Sequence, residues 1–271
     1  MAAPRTLVEK LLRPRSRGPV LPGSRYESIE VDLVVAHDAT FALGIDTIER
    51  LGLPLPPAEK LLFAADHFAP PSTPERAAIL NRYVRFLSER GLPTEQLFRG
   101  ICHQLAIEDS RVRPGQVVVG ADSHTLMAGA LGCFATGFGT TDILAILATG
   151  HAILEVPESI RLVLHGTPHH DAIEGKDVAL AMLRELGEDG ALGLAIEILD
   201  RSAGGVPLDA RCAVTNQAVE CGATSAAFVP DEITRAHLIA RDGAAPPLAD
   251  TIHPDAGAAY ARELAIDLDA L

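Results

Sequence analysis

Residues 117–150, VVVGADSHTLMAGALGCFATGFGTTDILAILATG, decide how this chain is read. The valines at 117 to 119 make a strand-like apolar run that ends in Asp122-Ser123-His124-Thr125. Glycines at 129, 132, 137 and 139 then thread through small residues until a helical run begins at Thr140 or Thr141. Polar groups at the end of a strand are where open α/β sheets bind ligands, beyond the carboxyl ends of their strands. The glycines suit close backbone approach or left-handed turns, but no Gly-x-Gly-x-x-Gly or Walker pattern accompanies them.

The same arrangement recurs upstream. Residues 29–35, in which Glu30 and Asp32 alternate with apolar neighbours, read as one strand that delivers His37, Asp38 and Thr40 at its end. Residues 61–65 form a second strand ending in Asp66-His67, and Gly100-Ile101-Cys102-His103 brings a third histidine to the end of an apolar segment. Ser72 or Thr73 is a fitting N-cap, with Pro74 in the first turn of a helix that runs to about Arg90 and stops at Gly91 and Pro93. Residues 7–12 predict a short helix stopping at Pro14, 160–164 a strand, 166–173 a loop and 176–186 a helix. Glu197 sits in an apolar run over 192–199, which is unfavourable unless it is paired. Residues 212–227 read as a helix of small residues with Asn216 and Glu220 on one face, and 264–268 as a last strand. Strands alternating with helices predict an α/β fold with a mostly parallel sheet.

Composition bounds the function. At ~100–200 residues per domain, 271 residues allow one large or two small domains, and 48% hydrophobic residues can bury a core. A net charge of −13 opposes phosphate backbones, so nucleic acid is not expected as a partner, whereas a local basic pocket for an acidic small molecule is compatible with it. The longest apolar run, 143–154, is interrupted by Thr149, Gly150 and His151 and falls short of the ~18 residues of a membrane span. The basic start contains Glu9 and scattered prolines, which spoil a signal-peptide core, so no membrane association and a cytoplasmic location are expected. Cys102, Cys133, Cys212 and Cys221 form no Cys-x-x-Cys pair and are expected to be buried thiols rather than metal ligands.

His67, His103 and His124 lie near apolar runs, and Asp66, Asp122 and Glu220 are placed to meet them. A carboxylate fixes an imidazole's tautomer and raises its pKa, which suits general-acid work or anion binding. Any one Asp-His dipeptide is more often a surface or structural pair, but three such groups at strand ends make a constellation. His37 and Ser123, taken singly, serve equally as capping or loop residues, and His169-His170 reads as a solvated loop. Ser123 lacks a Gly-x-Ser-x-Gly elbow, and no His-Glu-x-x-His helix exists, so neither serine nor zinc hydrolysis is spelled out.

In order along the chain, TLVEKLL, VAHDAT, ADH, GICH, PGQVVVGADSHTLMAGALGCFATGFGTTD, Gly175-Lys176-Asp177, Glu197, NQAVECGA and AIDLDAL together resemble the aconitase superfamily, in particular its 3-isopropylmalate dehydratase and homoaconitase large subunits. The resemblance implies aconitase-like α/β/α layers, with residues 1–271 forming the N-terminal region of such a subunit as two intertwined α/β subdomains. It also implies a hydro-lyase that moves a hydroxyl between adjacent carbons of a small di- or tricarboxylic acid, with a 4Fe-4S cluster whose open iron polarises that hydroxyl. Carried over by position, Asp66 pairs with His67, Asp122 with His103 and Glu220 with His124. His67 protonates the departing hydroxyl, Ser123 and His37 hold substrate carboxylate, and Asn216 hydrogen-bonds to the cluster. Aconitase itself has Gln where this chain has His37.

Relatives of this kind continue into a third α/β domain with three cluster cysteines and use a swivelling domain that supplies the catalytic base. The four cysteines here do not occupy those positions, so no metal ligand is expected in this chain, and partner chains carrying the cysteine and swivel domains are. Three readings follow: a cluster-dependent dehydratase completed by partners, a cluster-independent hydratase or isomerase on a small acid, or a non-catalytic carboxylate-binding subunit. The run QLAIEDSRVR after His103 differs from that usual in isopropylmalate enzymes, which leaves the substrate open.

Overall fold

The computed structural model describes residues 3–18, 20–21, 23, 26–167, 174–245, 247 and 252–271. In chain order the regular elements are α1 (Leu7–Leu12), β1 (Glu27–Glu30), β2 (Leu33–His37), α2 (Ile45–Leu51), β3 (Leu61–Ala64), α3 (Pro74–Glu89), α4 (Cys102–Glu108), β4 (Val117–Gly120), β5 (Phe134–Gly137) and α5 (Thr140–Thr149). They continue with β6 (His151–Leu154), β7 (Ser159–His165), α6 (Gly175–Leu186), β8 (Ala195–Asp200), α7 (Leu208–Gln217), β9 (Ser225–Phe228), α8 (Glu232–Asp242) and β10 (Arg262–Asp267). Two four-stranded parallel sheets result, ordered β3-β2-β4-β5 and β10-β7-β8-β9, and β1 and β6 form an antiparallel ribbon beside them. The α/β class with a mostly parallel arrangement is therefore observed.

Every residue of β2, β3 and β4 is buried, as expected of parallel strands covered on both faces. Because β2 leads outward to β3 on one side while β4 leads to β5 on the other, the chain reverses direction between β2 and β4. That reversal opens a crevice beyond their carboxyl ends, the position at which open sheets take ligands. Helix α3 begins as its sequence dictates, with Thr73 Oγ1 accepting from the Arg76 amide and Pro74 in the first turn.

Several expectations are corrected. Residues 29–35 are two strands, not one, because Asp32 turns out of the ladder. Its carboxylate accepts from the Val117 amide at 2.7 Å and binds Arg15, leaving β1 to pair with β6. The glycine-rich 121–139 stretch contains a 3-10 helix, Ser123–Leu131, and strand β5. Residues 212–227 are not one helix: α7 ends at Gln217, a 3-10 turn covers Ala218–Cys221, Gly222 reverses the chain at φ +79°, and β9 follows. Asn216 and Glu220 thus lie in differently wound segments, so their four-residue spacing no longer places them on one helical face. The segment around His103 is the first turn of α4 and not a strand end. His169-His170 and much of the expected 166–173 loop lie outside the described residues.

The two sheets are joined by small-residue packing. The Ser123–Leu131 segment lies against β9 so closely that a Cβ on Gly129 would overlap the Ala226 carbonyl oxygen. Ser225 Oγ accepts from the Ala135 amide at 3.2 Å, filling a ladder position that edge strand β5 would otherwise leave open. Buried Glu197 is paired after all, through backbone and hydroxyl donors: its carboxylate accepts from the Leu7 and Val8 amides at 2.9 Å each, from Ser159 Oγ at 2.8 Å and from the Tyr260 hydroxyl at 3.2 Å. That acid therefore docks the start of α1 onto the second sheet. Arg211, fully buried, reaches Asp231 and Asp200 from α7 at 2.7–2.8 Å and lies over the Phe228 ring. Among the described residues no helix is long and apolar enough to cross a membrane.

Candidate active site

Four elements converge on the crevice. His37 is the last residue of β2, Asp66 and His67 follow β3, Asp122 follows β4, and His103 enters from the first turn of α4. The turn carrying Asp66 and His67 is set by Asp38, which is fully buried. Its Oδ1 accepts from the Asp66 amide at 3.1 Å and the His67 amide at 3.0 Å, and its Oδ2 from the Phe68 amide at 2.7 Å. Asp66 in turn accepts from the Cys102 amide at 2.6 Å, which ties the start of α4, and so His103, to the same turn.

His67 Nδ1 donates to Asp66 Oδ1 at 2.8 Å, and its Nε2 lies 3.3 Å from Asp122 Oδ2. His103 Nε2 donates to Asp122 Oδ1 at 2.9 Å, an oxygen that also accepts from the His124 amide at 2.8 Å. His37 Nε2 stands 3.6 Å from Asp122 Oδ2. One carboxylate is thus surrounded by three imidazoles. His124 Nδ1 donates to the Asn216 carbonyl at 3.2 Å, while its Nε2 is 3.9 Å from Glu220 Oε1, too long for a hydrogen bond. Ser123 is exposed at the rim, and its hydroxyl has no partner among the described residues. Asn216 presents its side-chain amide to Met127 Sδ at 3.8 Å and to Gln217. His37 is buried, with both ring nitrogens against backbone.

The charges follow from these contacts. Burial works against a charge on His67, but the Asp66 hydrogen bond and the charges of Asp66 and Asp122 outweigh it and raise its pKa. Burial also resists ionisation of Asp122, yet the His103 bond and the His124 amide hold its carboxyl well below the usual carboxylate range. Asp66 is lowered in the same way, burial being overcome by the Cys102 amide and His67. Burial lowers the pKa of His37, and the neighbouring His67 lowers it further. Of the two rings His67, raised and flanked by two carboxylates, is the one suited to carry a proton and release it to a group entering the crevice. Next to it lies an apolar cleft of about 510 Å³ lined by Asp66, Pro70, Leu80, Phe98, Gly100 and Ile101.

Donor atoms of His37, Asp38, Asp66 and His67 come within 4.8 Å of one another. Asp38 already accepts three amides, Asp66 holds His67 and the Cys102 amide, and both His37 nitrogens face backbone groups, so the set offers little open ligation. The cysteines do not fit an iron-sulfur cluster, which needs several thiolates together. All four are buried thiols without a Cys-x-x-Cys pair: Cys102 in α4, Cys133 in the connection before β5 and Cys212 in α7 sit in one core cluster, and Cys221 in the 3-10 turn after α7 sits in another. Burial pushes Cys133 and Cys212 up to about 12 and Cys221 to about 11, and raises Cys102 as well. Cys133 donates to the Arg113 carbonyl at 3.1 Å.

Sequence reasoning gave no role to Asp38 or to the Cys102 amide. Asp38 beside His37 in a strand-end motif was a visible signal, but its three amide partners arise only from the pairing of β2 with β3.

Residues 22–271 match the Aconitase family (aconitate hydratase). Similar proteins include the 3-isopropylmalate dehydratase large subunits of Sulfurisphaera tokodaii (38% identical over 270 residues) and Saccharolobus solfataricus (38% over 271), with 99% of this chain and 64% of each relative covered. The 3-isopropylmalate dehydratase large subunit 1 of Deinococcus radiodurans is 36% identical over 271 residues, covering 99% of this chain and 60% of its own. The chain therefore spans less than two thirds of the length of these relatives. With the ordered strand-end motifs and the parallel sheets that carry them, this places the chain in the aconitase family.

Proposed function

We propose that this chain supplies the acid side of a hydro-lyase site acting on a small hydroxy di- or tricarboxylic acid. The observation that carries the reading is the contact of His67 with both Asp66 and Asp122 at the sheet's reversal point. In dehydration of a β-hydroxy acid, the C–O bond breaks as His67 gives its proton to the departing hydroxyl, which leaves as water. Asp66 keeps Nδ1 of His67 bonded, so the ring loses its Nε2 proton and is held in position to recover one. Asp122 keeps His103 at the same pocket and gives up its contact with His67 Nε2 when the hydroxyl enters. In this reading Ser123, exposed at the rim, donates to a substrate carboxylate, and His124, beside His103 and approached by Glu220, lines the crevice. Asn216 holds His124 through its carbonyl.

No group here is assigned to remove the C–H proton, and none of the four thiols serves as a cluster ligand. In this reading both come from outside these residues, through the cysteine-bearing and swivel portions that family members use. Support for a small-acid substrate comes from the names of the relatives and from the Ser123 hydroxyl and His67 Nε2, which are left without a hydrogen bond at the crevice among the described residues; the apolar cleft beside Asp66 has room for a carbon branch. The test is co-expression with chains that carry those portions, followed by an ultraviolet assay of double-bond formation from 3-isopropylmalate, malate and citrate. Turnover that falls ~10²–10⁴-fold in His67→Gln supports the proposal; turnover untouched by that change overturns it.

A further inference from the structure

We infer that His37 is a positioning residue, a permanently neutral ring in a single tautomer that fixes the plane of His67 by stacking. The inference rests on the hydro-lyase reading only in naming His67 as the acid. Its geometry is independent of that reading.

Both nitrogens of His37 are assigned by their neighbours. The Ala39 amide donates to Nδ1 at 3.3 Å, so Nδ1 carries no proton. Nε2 lies 3.1 Å from the Ala121 carbonyl oxygen, which can only accept, so Nε2 carries the hydrogen. An imidazolium would press an Nδ1 hydrogen against the Ala39 N–H. The ring is 1% exposed, so it is held by these neighbours and not by water.

Its remaining face is covered by His67. The two ring centroids are 3.7 Å apart and the planes differ by 10°, a close parallel stack. A neutral aromatic face attracts a cation lying on it, whereas two imidazolium rings at that separation repel. The charged groups facing the pair are Asp66 at His67 Nδ1, the buried Asp38 carboxylate, which comes within 4.8 Å of both rings while accepting the Asp66, His67 and Phe68 amides, and Asp122, whose Oδ2 lies 3.6 Å from His37 Nε2 and 3.3 Å from His67 Nε2. His67 has a 35%-exposed side chain and would otherwise be free to swing about its Asp66 bond. The stack removes that freedom and leaves Nε2 pointing at the place where Asp122 now sits.

Long-range proton-nitrogen NMR of the histidine rings, on the 271-residue chain and on His37→Phe and His37→Ala, tests this directly. The expected result is that wild-type His37 stays neutral with its proton on Nε2 between about pH 5 and 8 while His67 titrates alone. His37→Phe, which keeps a neutral ring in the stack, should leave His67 with one set of ring signals, and His37→Ala should broaden or double them. A His37 that titrates in this range, a proton found on Nδ1, or an unchanged His67 in His37→Ala overturns the inference. The wild-type tautomer measurement stands even if a variant fails to fold. Failure of the hydro-lyase reading shows separately, as turnover indifferent to His67→Gln.

Discussion

Asp66 and Asp122 stand at opposite nitrogens of the same imidazole, Asp66 2.8 Å from His67 Nδ1 and Asp122 3.3 Å from His67 Nε2. Each acid is itself anchored by a backbone amide, Asp66 by Cys102 and Asp122 by His124. The protonation of His67 is therefore set by two carboxylates fixed to different strand ends, a property of the sheet's topology and not of the Asp-His dipeptide alone.

Replacing Asp66 with Asn should lower the His67 pKa, because the largest favourable influences on its charge are the Asp66 bond and the Asp66 charge. The sign for stability follows. His67 in the folded chain is raised above 6.5, so its contribution is fully present below that value and is lost as pH rises through the raised value. NMR titration checks the shift, and denaturation at several pH values should show the wild type losing its advantage over Asp66→Asn across that same window.

Asp122→Asn should act in the opposite pH range. The wild-type carboxyl is depressed below 3.8, so its stabilising contribution is present above the ordinary carboxylate value and disappears as pH falls through the depressed one. At neutral pH the variant should be less stable by about 1–3 kcal/mol, since His103 and the His124 amide lose a charged acceptor. Urea unfolding at neutral pH and at acid pH checks it; a difference that stays constant across that range counts against the argument.

The parts of this fold that sequence exposes are those where polar residues terminate an apolar run, as at His37, Asp66-His67 and Asp122. Less legible are β5 and β9, four-residue strands that each pair one buried phenylalanine, Phe134 or Phe228, with small residues, and which the glycine pattern and helical spacing mask. The need for glycine at 129 comes from the Ala226 carbonyl, 97 positions away, and no local rule contains it. Gly-Ile-Cys-His reads as the end of an apolar strand, whereas His103 lies in the first turn of α4. What makes it a helix start is the Asp66 carboxylate at the Cys102 amide, a partner brought from 36 residues upstream. The Glu220 partnership with His124, expected from resemblance, is present only as a 3.9 Å approach.

Arg211→Met should destabilise the chain by about 3–5 kcal/mol, the range seen when one member of a buried ion network is removed. Arg211 is fully buried and donates to Val206, Asp200 and Asp231. Asp200 keeps its Ser202 and Val206 amide donors and Asp231 still caps α8, so both acids stay in place without the guanidinium that joined them. Because α7 carries Asn216 and its carbonyl fixes His124, the His124 ring signal should move in this variant as well. Chemical denaturation and NMR read the two effects.

Glu197→Ala should release the N-terminal helix without dismantling either sheet. The acid holds the Leu7 and Val8 amides, which belong to the first turn of α1, where no earlier carbonyl within the helix can reach them. Both residues are buried, so water does not readily replace the lost acceptor, and each orphaned amide costs about 1–3 kcal/mol. Ser159 and Tyr260 lose an acceptor too, at one hydroxyl each. The loss should therefore concentrate on α1: amide exchange of Leu7 to Leu12 should accelerate and a protease should cut before β1, while β7 and β8 stay protected. Equal loss of protection across β8 and α1 would show instead that Glu197 supports the second sheet as a whole.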